Sequence, residues 1–200
     1  MKALIIVDLQ YDFMPGGALA VNEGNQIIES INQLQNQFDL IIATQDWHPA
    51  HHKSFASQHE EKTPFEVIDW NGNEQVLWPD HCVQGTKGAE LHHAFNQNKI
   101  NAIIRKGMNE NVDSYSAFFD VNQNNSTGLD GYLKEHQVSD IYVCGLAADF
   151  CVYFTAQDAL NLGYSTTILE EYTRAIDTEN FKKLKKQFIQ NGGKVTKQFN

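Results

Sequence analysis

Ala3-Leu4-Ile5-Ile6-Val7-Asp8 is an unbroken run of five apolar residues that ends on a carboxylate. Such a run predicts a strand buried on both faces, as strands of parallel sheets are. Comparable runs follow at Leu40-Ile41-Ile42-Ala43, Ala102-Ile103-Ile104, Ile141-Tyr142-Val143-Cys144, Thr166 to Leu169 and, more briefly, Lys194 to Thr196. Between them lie segments of helical periodicity. From Asn25 to Phe38, residues Ile27, Ile28, Ile31, Leu34 and Phe38 recur at three- and four-residue spacing. Glu90 to Phe95 reads as a short helix, and Thr127 to His136 as another with Ser126 or Thr127 as its cap. Asp149 to Leu162 forms a helix that stops at Gly163, and Thr178 to Gln190 one that ends before Gly192-Gly193. Strands separated by helices imply right-handed crossovers. The expected fold is therefore α/β, a three-layer sandwich with a mainly parallel central sheet of about six strands flanked by helices.

The chain has 200 residues, of which 42% are hydrophobic. No linker divides it, so one domain spanning 1–200 is expected. One stretch, 46–88, breaks the rhythm. It carries Trp47, Trp70 and Trp78, and five of the eight histidines. An insertion that long inside a compact domain is usually functional or disordered, and its aromatic and histidine content argues for function. The formal net charge of -10 repels phosphate backbones and anionic lipid, so neither nucleic acid nor a membrane surface is expected as partner. No apolar run approaches the roughly 18 residues of a membrane span. The N-terminal run is too short for a secretion signal. Three cysteines, with no Cys-x-x-Cys, fit a reduced, cytoplasmic chain.

In an open parallel sheet, ligands bind outside the carboxyl ends of the strands. There this chain delivers Asp8 after the first strand, Asp46-Trp47-His48 after the second, Lys106 after the third and Cys151 after the fourth. Cys151 would lie in the first turn of a helix, where the macrodipole and a nearby Lys106 favour a thiolate. Read singly, it is as well a small core filler, Asp8 a loop cap or a partner of Lys106, and Lys106 a surface lysine. Their convergence on one edge favours a nucleophile with an acid–base partner. Asp46 and His48 fall on one face of an extended segment, and His81 could add a third ligand. One carboxylate and two imidazoles suit zinc, iron(II) or manganese. His51, His52, His59, His92 and His93 read as solvated or loop-bracing. Ser54 is near enough in sequence to reach such a metal, and Phe13 and Trp78 could form a flat slot for a ring.

Six segments occur in order: Asp8-Leu9-Gln10-x-x-Phe13, Gln45-Asp46-Trp47-His48-Pro49, Trp78-Pro79-Asp80-His81-Cys82-Val83, Lys106-Gly107, Asp113-Ser114-Tyr115-Ser116-Ala117-Phe118 and Gly145-Leu146-Ala147-x-Asp149-x-Cys151-Val152. Over essentially its whole length the chain resembles the nicotinamidase/pyrazinamidase branch of the isochorismatase-like cysteine hydrolases. The resemblance implies hydrolysis of a small neutral heteroaromatic amide, nicotinamide, to nicotinate and ammonia in NAD salvage, by a monomer or a homo-oligomer. It implies Asp8, Lys106 and Cys151 as catalytic triad and the amides of Ala147 and Cys151 as oxyanion donors. Substrate would be held by Phe13, Trp78 and Tyr115. One divalent metal, zinc first with iron or manganese as alternatives, would sit on Asp46, His48 and His81, with Ser54 joining directly or through water. It also implies a cis peptide before Ala147. Ala148 departs from the family, where threonine is common.

In the chemistry so implied, Asp8 takes the thiol proton, the sulfur adds to the amide carbon, and a thioester forms as ammonia leaves. Three alternatives stand beside it. Other hydrolases of the superfamily act on carboxylate substrates and call for basic pocket residues. A metalloenzyme would need no covalent step. A non-catalytic binding domain would lack activity altogether, although no Gly-x-Gly-x-x-Gly and no Gly-x-x-x-x-Gly-Lys-Ser/Thr is present to cradle a nucleotide.

Overall fold

A computed structural model describes residues 1–199. Six strands form one sheet: β1 (Lys2–Val7), β2 (Leu40–Asp46), β5 (Ala102–Lys106), β6 (Asp140–Leu146), β7 (Ser165–Arg174) and β8 (Lys194–Thr196). Their spatial order is β5-β2-β1-β6-β7-β8, and every pairing is parallel. The expected three-layer α/β sandwich is what forms. Leu4 and Ile6 of β1 point to one face, where they meet Ile41, Ala43 and Cys144 and the helix α1 (Ile28–Leu34) through Ile28, Ile31 and Leu34. Ala3, Ile5 and Val7 point to the other face, against Ile42, Ile141 and Val143. That face is covered by α2 (Leu129–Glu135), α3 (Tyr153–Asn161) and α4 (Thr178–Gln190). Burial on both sides is why β1 carries no polar alternation, each large aliphatic side chain contributing about 1.5–3 kcal/mol.

The strand order sets the position of the site. The chain runs outward from β1 through β2 to β5, then crosses back to β6 and continues through β7 to β8. The reversal falls between β1 and β6, and a crevice opens there above the carboxyl ends. Close approach of these strands requires Gly145, with φ of +109°, because a Cβ there would collide with the Val7 carbonyl.

Several local expectations are corrected. Glu90 to Phe95 is not helical; six residues cannot nucleate a helix unaided, and the segment instead docks by Leu91 on Gln10 and by His92 N–H on the Leu9 carbonyl. Helix α2 begins only at Leu129, after Gly128. Thr127 spends its hydroxyl on the Ala117 carbonyl while accepting from Leu129 N–H. Within the insertion, β3 (Val67–Trp70) and β4 (Asn73–Val76) form an antiparallel hairpin that has no forerunner in the sequence reading. The segment after β6 opens as a π turn, Ala148–Val152, before α3 starts at Tyr153. Among the described residues no helix is long and apolar enough to cross a membrane.

Candidate active site

Lys106, at the end of β5, is the hub of the crevice. Its Nζ lies 2.9 Å from Asp8 Oδ2, 2.7 Å from Asp46 Oδ1, 3.3 Å from Cys151 Sγ and 3.2 Å from the Ser114 carbonyl. Its side chain is fully buried. Burial alone would neutralise it, but Asp46, Asp8 and Cys151 around it hold its pKa well above the usual lysine range. An oxygen of Asp8, an oxygen of Asp46 and Cys151 Sγ all lie within 4.8 Å of one another, and the Lys106 ammonium contacts all three.

Asp8 leaves β1 with φ of +49°, a left-handed turn that aspartate tolerates better than most residues. Thr44 of β2 pins it on both sides, accepting from Asp8 N–H at 3.1 Å and donating its hydroxyl to Oδ1 at 2.6 Å. Its Oδ2 has the Lys106 charge beside it but no aligned donor, which leaves a lone pair free for a proton. Burial raises the Asp8 pKa, with Asp46 adding to it, against the opposing pull of Lys106 and Thr44. Cys151 is also pushed up, by burial first and then by the two carboxylates, against Lys106. The Sγ is buried in a π turn beside two acids, and the thiol keeps its proton until a base removes it.

Asp46, His48 and His81 come together as the sequence suggests. Asp46 Oδ2 lies 3.4 Å from His48 Nε2 and 3.8 Å from His81 Nε2. His48 Nδ1 donates to the Gly107 carbonyl at 2.9 Å, and His81 Nδ1 to the Pro79 carbonyl at 2.8 Å. A carbonyl only accepts, so both rings carry a proton on Nδ1 and turn Nε2 toward Asp46. Burial opposes charge on Asp46, but Lys106 holds its carboxyl well below the usual range. One ionised carboxylate oxygen and two imidazole Nε2 atoms, all facing inward, form a donor set that fits zinc or a similar divalent ion. Gly107 is required here: its φ is +66°, and a Cβ would sit 2.6 Å from His48 Nδ1. Ser54 directs its hydroxyl to His52 Nδ1 at 2.7 Å.

Beside these groups is a small, partly open cavity. Phe13, Trp78 and Tyr115 line it as expected, together with Asp46, His81, Ala147 and Cys151. Tyr115 Oη accepts from Trp78 Nε1 at 3.3 Å, which fixes the two rings relative to each other. The Leu146–Ala147 peptide is cis, and Ala147 N–H makes no hydrogen bond among the described residues. Leu19, Asp113, Phe150 and Ile176 also line the cavity and escaped the sequence reading. Phe150 carries a readable signal, since it adjoins Cys151; Ile176 reaches the cavity only because β7 is longer than its apolar run. Of the two readings given to His52, solvated or loop-bracing, the structure shows the second: it is fully buried and accepts from Ser54 two residues on. Burial, and then His48, push its pKa down to about 4, so it is neutral. Ala148, where the family commonly has threonine, is buried in the core.

A family model for the isochorismatase domain matches residues 2–198, and the chain belongs to that family. The nicotinamidase of Acinetobacter baylyi is 52% identical over 88% of this chain and 82% of its own length. That of Escherichia coli is 47% identical over 89% and 85%. Among solved structures, an Acinetobacter baumanii nicotinamidase and pyrazinamidase superposes with a TM-score of 0.95 at 45% identity, covering 97% of this chain and 94% of the other. The yeast nicotinamidase bound to the inhibitor nicotinaldehyde superposes at 0.93 with 36% identity over 98% and 99%. A Pyrococcus horikoshii pyrazinamidase in complex with zinc superposes at 0.80 with 35% identity over 99% of both chains.

Proposed function

We infer that this chain hydrolyses nicotinamide to nicotinate and ammonia through a cysteine thioester. The observation that carries the reading is the Asp8–Lys106–Cys151 cluster, built against the Asp46–His48–His81 donor set on one side and an aromatic cavity on the other. Nicotinamidases 52% and 47% identical to the chain support the same substrate, and pyrazinamide is a second one.

Asp8, with its raised pKa and free lone pair, removes the thiol proton as sulfur adds to the amide carbon. The electron pair of the C=O bond moves onto oxygen, which the Ala147 and Cys151 amides receive. Lys106 offsets the negative charge of the adduct and keeps both carboxylates in place. Asp8 returns its proton to the amide nitrogen, the C–N bond breaks, and ammonia departs. Water then adds to the thioester, Asp8 again taking a proton, and the thiolate leaves and is reprotonated. Phe13, Trp78 and Tyr115 hold the planar ring. Asp46, His48 and His81 would hold a divalent ion, zinc first, which would supply Lewis acidity beside the ring.

The setting that this chemistry serves is NAD salvage in the cytoplasm. Ammonia release from nicotinamide by the purified protein, before and after chelation and with zinc, iron(II) or manganese restored, tests the reading. No release with any of these metals would overturn it.

A further inference from the structure

His52 is fully buried against the His48 ring, their centroids 4.4 Å apart, and its Nε2 has no partner among the described residues. Its other nitrogen is occupied, accepting the Ser54 hydroxyl at 2.7 Å and the Ser54 N–H at 3.2 Å. An imidazole that accepts at Nδ1 carries its proton at Nε2, so a buried N–H donor is left open. Such a group is unfavourable to bury unless water or another acceptor meets it.

The complement stands close by. A ring nitrogen of His48, a ring nitrogen of His52 and a carboxylate oxygen of Asp113 all lie within 4.8 Å of one another. Asp113 is buried in the cavity wall. Its Oδ1 accepts Ser114 N–H at 2.8 Å and its Oδ2 accepts Gln75 Nε2 at 3.0 Å, so each oxygen keeps a spare lone pair. A buried donor and a buried acceptor thus flank a ligand imidazole. A water molecule whose oxygen binds a cation keeps one lone pair to receive the His52 N–H and has a hydrogen to give to the Asp113 carboxylate.

We propose that His52 and Asp113 together hold a water ligand of the metal bound by Asp46, His48 and His81, acting as positioning residues. Ser54 then serves that metal at one remove, by fixing the His52 tautomer. The proposal rests on the metal reading given under Proposed function and adds the residues that order its solvent.

The test is zinc affinity of the stripped, full-length protein, measured by competition with a chromophoric chelator. His52→Phe and Asp113→Asn should each weaken zinc about 10–100-fold, as loss of outer-shell partners does. The double variant should be little worse than the weaker single one, because one water is lost in each case. His52→Gln, whose amide N–H replaces the Nε2 donor, should recover most of the affinity. In the cobalt-substituted protein, loss of the water should intensify the visible absorption, and metal-free melting temperatures should stay level. Parent-like zinc affinity in both single variants, or fully additive losses in the double, would overturn the proposal. If His52→Phe does not fold, Asp113→Asn decides on the same criterion. A parent protein that binds none of the three metals would instead remove the metal reading itself.

Discussion

Asp46 shares one carboxylate between two centres: Oδ1 is 2.7 Å from Lys106 Nζ, while Oδ2 faces the Nε2 atoms of His48 and His81. The ammonium that steadies the nucleophile is therefore held by the residue that would also bind the metal. Metal loss releases a second full carboxylate charge beside Asp8 and Cys151, where burial already resists charge. Chelation should then reduce kcat as well as raise KM for nicotinamide, and added zinc should restore both. A change in KM alone would show that the two centres act independently.

Cys151→Ala should abolish ammonia release, since no other side chain at the site offers a nucleophile of comparable strength. Nicotinaldehyde should inhibit the parent protein reversibly through addition of Sγ to its carbonyl, and should lose most of its affinity for the variant. Retained turnover in Cys151→Ala would point to a metal-assisted reaction without a covalent step.

Thr44→Val removes the hydroxyl that donates to Asp8 Oδ1. That bond favours the ionised carboxylate, so its loss raises an already raised pKa. In the proposed mechanism ionised Asp8 is the base, so the acidic limb of kcat/KM against pH should move to higher pH. A hydrogen bond to a charged group is worth about 1.5–3 kcal/mol, which corresponds to a shift on the order of one pH unit or more. An unmoved limb would remove Asp8 from the role of base.

Gly107→Ala forces a Cβ toward the His48 ring at a backbone angle that alanine adopts poorly. The expected result is loss of stability by about 1–3 kcal/mol together with weakened metal binding, read by urea titration and by metal content after gel filtration. Normal metal content would show that the His48 ring tolerates displacement.

Asp149 accepts the backbone N–H groups of Ile176 and Asp177, at 2.9 Å each, and so ties the turn that bears Cys151 to the end of β7. Asp149→Ala leaves both donors without partners. Stability should fall by about 2–4 kcal/mol in denaturant titration. Ammonia release should fall further than the folded fraction does, because the Cys151 turn loses its anchor.

The core strands were legible because burial on both faces removes polar residues from them, and an uninterrupted run such as Ala3 to Val7 has few other uses. The Asp8, Asp46, Lys106 and Cys151 positions were legible for a related reason: each follows such a run, and strand ends in a parallel sheet share one rim. The hairpin β3–β4 was not, since Val67 to Trp70 is half exposed and alternates too briefly to stand out. Glu90 to Phe95 misled because a short apolar spacing fits a helix or a docked turn equally well.

Residue order along the chain determined the layered architecture, the rim on which chemistry collects, and the identities of the groups brought there, since these follow from local periodicity and a general rule of parallel sheets. Tertiary structure alone decided which histidines matter and in what state. His48 is turned by the carbonyl of Gly107, 59 residues along the chain, His81 by that of Pro79, and His52 is sealed between Ser54 and the Asp113 wall, so their orientations and the raised pKa of Cys151 come from burial and from neighbours the fold brings together. Those quantities depend on desolvation and on distances through space, which spacing along a chain does not encode.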